Sequence, residues 1–225
     1  MDRHPTDHPA IVAVCRTRAL QPRTASSRHL SGIDKGGVDA VVVTPTGVEG
    51  DEVRDVEHPG GIDKAVYAYA DEDAAWWAAE LGEDIWPGRF GENLRTRGVD
   101  LVGAVIGERW RIGADVLVEV SEPRVPCAPF QHHMGDRPGW VKRFADVGRT
   151  GTYLRVLAGG PVAPGDAVEV LSRPAHGVTI GRWFTANDPA DAKALLDAES
   201  DDWQVPAALR GYIVHVLARA GAGTT

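Results

Sequence analysis

Short apolar runs punctuated by glycine and proline set the pattern of this chain. The segments "IVAVCR" (11–16), "GVDAVVVT" (37–44), "KAVYAYA" (64–70), "ERWRIG" (108–113), "VLVEVSE" (116–122), "GTYLRVLA" (151–158) and "DAVEVLS" (166–172) have the length and residue types of strands. In the fifth, Val116, Val118 and Val120 fall on one face, and Leu117 and Glu119 on the other. "IGERWRIGADVLVEV" predicts a hairpin that turns through Gly113, Ala114 and Asp115.

A helical period interrupts this series once. "DEDAAWWAAELG" opens with acids, which suit a helix N-terminus, and closes at Gly82, a C-cap residue. Trp76 and Trp77 are expected to pack it on the sheet. After about Arg173 the pattern changes for good. Asp188 and Pro189 read as N-cap and first helical position of "DPADAKALLDA". In "VPAALRGYIVHVLARA", Leu209, Tyr212, Ile213, Val216 and Leu217 form one stripe. "GVTIGRWF" supplies a third short helix. The expected fold is mainly β, a closed or nearly closed barrel with a packed helix and a small C-terminal helical extension. Residues 1–10 read as a flexible polar leader, 11–173 as the barrel domain and 178–220 as the three-helix extension.

Composition narrows the function. A formal net charge of −8 over 225 residues argues against a general nucleic-acid binder, since phosphate neutralisation needs a clustered basic surface. One local basic pocket for a small anion remains compatible with it. No run is long enough to span a membrane, and "MDRHPTDHPA" has no apolar signal core, which together point to the cytoplasm. Cys15 lies in an apolar strand and Cys127 in a loop, so a disulfide is not suggested. Two cysteines are too few for the usual four thiolates of an iron–sulfur cluster.

Three stretches carry candidate chemistry. In "EHPGGIDKAVYAY", glycines let backbone N–H groups approach a ligand, Lys64 meets an anion and Asp63 moves a proton; the plainer reading is a tight turn with solvated charges. "PGRFGENLRTRG" gathers Arg89, Arg95 and Arg97 around Gly91, Glu92 and Asn93, a set suited to phosphate and heterocycle edges, or an ordinary surface loop. "EPRVPCAPFQHHM" sets Cys127 between Pro126 and Pro129, which exclude regular structure on either side. A thiol so placed suits ligation or attack better than packing, and Arg124 favours its thiolate. His132 and His133 match no familiar zinc spacing and read as exposed loop residues. Trp86, Trp140, Trp183 and Trp203 line a pocket or simply pack.

Taken in order, "GVEGDEVRDVEHPGGIDKAVYAY", "FGENL", "IGERWRIG…LVEVSEPRVPC" and "GRTGTYLRVL" resemble the MOSC-domain family, named for molybdenum cofactor sulfurase C-terminal domains, in its stand-alone bacterial branch. The resemblance covers roughly residues 32–173, and the tail from about Val178 is similar to that branch's three-helix extension. It implies a MOSC-type β-barrel holding a molybdenum–pterin cofactor. Cys127 matches the family's metal-ligating cysteine. Arg89, Phe90 and Asn93 match its cofactor-site element. His58, Gly60, Gly61, Asp63 and Lys64 match its glycine turn, with Ile62 where many members carry proline.

The resemblance further implies reduction of N-hydroxylated compounds, such as N-hydroxylated purine analogues, to amines. Cys127 is then catalytic and metal-binding, and Asp63 or His58 relays protons. Lys64, Arg89, Phe90, Gly91, Glu92, Asn93 and Arg124 are the expected cofactor contacts. One thiolate suffices because a pterin dithiolene supplies two further sulfurs. Electrons must come from an external flavin or iron–sulfur protein, since the chain has no dinucleotide fingerprint. A sulfur carrier with a Cys127 persulfide and a non-catalytic small-molecule binder are the rival readings. Monomer and homodimer are both open.

Overall fold

A computed structural model of the chain describes residues 8–52 and 61–222; His58 and Gly60 lie outside them. The strands are β1 (Ala10–Pro22), β2 (Leu30–Val38), β3 (Val41–Thr44), β4 (Gly47–Val48), β5 (Val66–Ala70), β6 (Leu94–Arg97), β7 (Arg109–Ile112), β8 (Val116–Pro123), β9 (Thr152–Ala158), β10 (Gly160–Val162) and β11 (Val168–Ser172). The helices are α1 (Asp71–Leu81), α2 (Ala128–His133), α3 (Trp140–Val147), α4 (Ile180–Ala186), α5 (Pro189–Asp197) and α6 (Ala207–Ala222), and a single 3-10 turn spans Ile62–Lys64.

Eight strands form one sheet in the order β11-β7-β8-β9-β5-β6-β1-β2, and β10-β3-β4 form a second. The β7–β8 hairpin pairs Ile112 with Val116, as its sequence predicts. β5 and β6 are parallel, and α1 is the crossover between them. Among the described residues, a closed barrel is not found. The long β1 gives its first residues to β6 and most of its length to β2, with register shifts on both sides. Its N-terminal end meets the segment entering β11 at an isolated Ala10–Ala167 bridge, with Val168 N–H donating to the Pro9 carbonyl, Ile11 N–H to the Asp166 carbonyl and Gly165 N–H to the Ile11 carbonyl, each at 2.8 Å. The segment 37–44 likewise divides between β2 and β3.

Two cores flank β5, whose five residues are all buried. Val66, Ala68 and Ala70 join the aliphatic core of the sheet, which continues without a break into Ile180, Leu195, Leu209 and Ile213 of the C-terminal helices. Those helices therefore have no core of their own. Asp188 caps α5 by accepting from Ala190 N–H at 2.7 Å, and Pro189 opens it. Tyr212, assigned to the apolar stripe of α6, is instead 52% exposed, because the buried stripe narrows to Leu209 and Ile213.

Tyr67 and Tyr69, on the other face of β5, meet an aromatic core built from Trp77, Phe90, Phe130, Trp140 and Phe144. Trp77 stacks on Phe144 at 5.3 Å, and Phe130 meets Phe144 edge-on at 4.8 Å. This core holds α1 and the unexpected helices α2 and α3 against the sheet. Among the described residues, no helix is long and apolar enough to cross a membrane.

Candidate active site

Cys127 sits at the N-cap of α2, in extended backbone (φ −140°, ψ 173°), and its side chain is exposed. Pro129 does not break structure here. It stands in the first turn of α2, where the missing N–H costs nothing, so the prolines fix the helix start at the thiol. Both histidines belong to that helix rather than to a loop, and they diverge. His132 Nδ1 lies 2.7 Å from Asp136 Oδ2. His133 lies 2.7 Å from Gln21 Nε2 and 3.1 Å from the Arg89 carbonyl. Burial, together with the nearby Arg89 charge, pulls the His133 pKa below its ordinary value.

The thiol opens onto a cavity of about 330 Å³. Lys64, Phe90, Gly91, Asn93, Arg124 and Cys127 line it, so six of the expected site residues are brought together. Gly91 is required there by conformation and space. Its φ is +83°, and a Cβ would stand 2.8 Å from Ile33 Cγ1.

Arg124 is 4% exposed and lies over the Phe130 ring at 4.0 Å. Its Nη1 has no hydrogen-bond partner among the described residues. Burial works against its charge, but Tyr67, Cys127 and Tyr153 favour it, and its pKa rises. A buried cation with a spare donor beside a thiol is a site for an anion. Arg23, Lys35 and Glu52 line the same walls, with Lys35 ion-paired to Asp51.

Behind Lys35, Asp51 accepts from Thr17 N–H at 2.7 Å, Asn93 Nδ2 at 2.7 Å and the Lys35 ammonium. Burial pushes the Asp51 carboxyl up, but these three partners outweigh it, and its pKa lies below the usual value. Lys64 has a weaker counterion, Glu122, with Nζ 3.6 Å from Oε1.

Three expected residues stand elsewhere. Asp63 is tied to Arg155 at 2.6 Å and accepts from Ala207 N–H at 2.9 Å, which fastens α6 to the sheet. Glu92 is fully buried and organises its loop, accepting from Gly88 N–H, Phe90 N–H and Arg95. Arg89 donates to the His133 carbonyl at 3.2 Å and stacks on Trp86. His58 lies outside the described residues. The three arginines of the second stretch do not converge on the cavity: Arg95 is buried against Glu92, and Arg95 and Arg97 both face Asp71, at 3.7 and 2.7 Å.

Sequence reasoning passed over Lys35, Tyr67, Tyr153 and Glu122. One signal was present: "GIDK" occurs at 32–35 and again at 61–64, and both lysines line the cavity.

The MOSC domain profile matches residues 55–169, a span that contains Lys64, the Phe90–Asn93 loop and Cys127. The chain belongs to the MOSC-domain family. Within it, the chain is 34% identical to a reductase of Gibberella moniliformis over 178 residues, 77% of this chain and 31% of that protein. It is 36% identical to YflK of Bacillus subtilis, over 63% of each chain. The chain thus spans about a third of the first relative and just under two thirds of the second. Its fold is similar to the crystal structure of YiiM from Geobacillus stearothermophilus, with a TM-score of 0.73, 25% identity and coverage of 93% of this chain and 99% of that one. This MOSC chain therefore shares both its sheet and its C-terminal helices with a solved relative.

Proposed function

We propose that this MOSC protein is a molybdenum-cofactor-dependent reductase that converts N-hydroxylated compounds to amines. One observation carries the reading: Cys127, with its exposed thiol, and buried Arg124, whose Nη1 has no hydrogen-bond partner among the described residues, line the same cavity. The thiol suits a soft metal, and the guanidinium suits the phosphate of a pterin cofactor. The family match and the Gibberella reductase support the same class of chemistry.

When bound, the cofactor supplies the two-electron redox chemistry. The net change is R–NHOH plus two electrons and two protons to R–NH2 plus water, with the electrons delivered by an external flavin or iron–sulfur donor. Cys127 would hold the metal, and Arg124 and Lys64, which line the same cavity, would bind the anionic end of the cofactor. Gly91 keeps the wall thin, and Asn93 fixes Lys35 through Asp51. Asp63 acts as the anchor of Arg155 and α6. Protein purified with its molybdenum cofactor and given dithionite is expected to reduce an N-hydroxylated base. Loss of turnover in Cys127→Ser, with the fold intact, supports this reading. Equal turnover, or none in the parent protein, ends it.

A further inference from the structure

A second cavity of about 740 Å³ lies between the end of β8 and helices α4 and α6. It shares only Val125 with the Cys127 cavity. Its size is that of a small-molecule site. Trp183, Leu209 and Val216 give it apolar walls. One acid lines it, Glu122, which is only 3% exposed.

Glu122 is poorly satisfied. Its Oε1 has no hydrogen-bond partner among the described residues, and its nearest cation, Lys64, stands 3.6 Å away and belongs to the other cavity. Burial accordingly pushes its carboxyl up to about 7, against the pull of Lys64. An apolar, aromatic chamber with one under-bonded buried acid is complementary to a ligand with a positive head, N–H donors and a flat apolar body. Arg219 and His215 also line the cavity, but both are exposed, and solvent and salt screen the Arg219 charge.

We propose that this second cavity is a binding site for a flat organic cation, its N–H groups donating to Glu122 and its ring lying against Trp183 and Leu209. The site is separate from the cofactor cavity and needs no metal. Ala186, exposed at its rim, is a position from which a larger side chain fills it.

Calorimetry with benzamidine, and with neutral benzamide as isostere, tests the site in the full chain at neutral pH. Saturable benzamidine binding is expected, with benzamide weaker by about tenfold or more. Glu122→Gln and Ala186→Trp are each expected to weaken benzamidine by a similar factor. Absence of saturable binding at millimolar ligand, equal binding of benzamide, or binding that survives Glu122→Gln overturns the proposal. Should Glu122→Gln not fold, Ala186→Trp decides in the same way. The probe requires no cofactor, so failure here leaves the reductase reading standing.

Discussion

The guanidinium of Arg124 lies 4.0 Å from the centre of the Phe130 ring, one of its nitrogens has no partner among the described residues, and the residue lines the cavity that Cys127 opens onto. The aromatic core thus presents a fixed positive charge at the candidate site. Holding that charge out of water without a hydrogen bond for every donor costs stability. Arg124→Met keeps the ring contact and removes the charge. Its thermal stability is expected to match or exceed the parent by about 1 kcal/mol. Its affinity for inorganic pyrophosphate, read by calorimetry, is expected to fall by about tenfold or more.

The Glu92–Arg95 pair makes the opposite prediction. Both side chains are 1% exposed or less, and Glu92 also accepts two backbone N–H groups. Glu92→Gln leaves the buried Arg95 charge facing only Asp71 at 3.7 Å and the Ile85 and Trp86 carbonyls. A loss of about 3–5 kcal/mol is expected in urea denaturation, with the loop at Gly88–Asn93 disturbed and cofactor content reduced as a consequence.

Glu122 sets a pH dependence of stability. Its folded pKa is raised to about 7 from a reference of 4.5, so its neutral form is the one the fold prefers. The stability it lends is fully present below pH 4.5 and is lost as pH rises through about 7. Glu122→Gln removes that loss. Relative to the parent, it is expected to gain up to about 3 kcal/mol between pH 5 and pH 8. Denaturation curves of both proteins across this range check the sign.

The two cysteines are expected to react very differently. Burial, followed by the Glu92 charge, pushes the Cys15 thiol up to about 12, and the residue has no exposed surface. Cys127 is exposed. Under native conditions a thiol reagent is expected to modify one site per chain, identified as Cys127 by peptide mass, and two after denaturation.

Much of the sheet was legible because alternation and punctuation are local signals. The β7–β8 hairpin, α1 with its Gly82 cap and α5 with Asp188 and Pro189 follow directly from them. The helices α2 and α3 were not legible. Each is short, with eight residues at most, and each is held by Phe130, Trp140 and Phe144 meeting Trp77 and Phe90, contacts that no periodicity encodes. The Pro-Cys-Ala-Pro stretch misled for a related reason: a proline excludes a helix interior but favours a helix start, and only the packing of Phe130 decides which applies.

The site was legible in part. Cys127, Arg124, Lys64, Asn93, Gly91 and Phe90 converge on one cavity, while Glu92, Arg89 and Asp63 serve the frame around it. Charge type alone does not separate these roles. Glu92 and Arg95 are polar residues in a glycine-rich segment, yet both are spent on each other. Barrel closure also eluded strand counting, because it depends on how β1 divides its pairing between β6 and β2.

The most direct test is molybdenum content. The parent chain and Cys127→Ser would be purified from a host that makes molybdopterin and from one that does not, and metal per chain measured by mass spectrometry. Bound molybdenum close to one per chain is expected only for the parent from the competent host. Equal molybdenum in parent and Cys127→Ser, or none in either, contradicts the account.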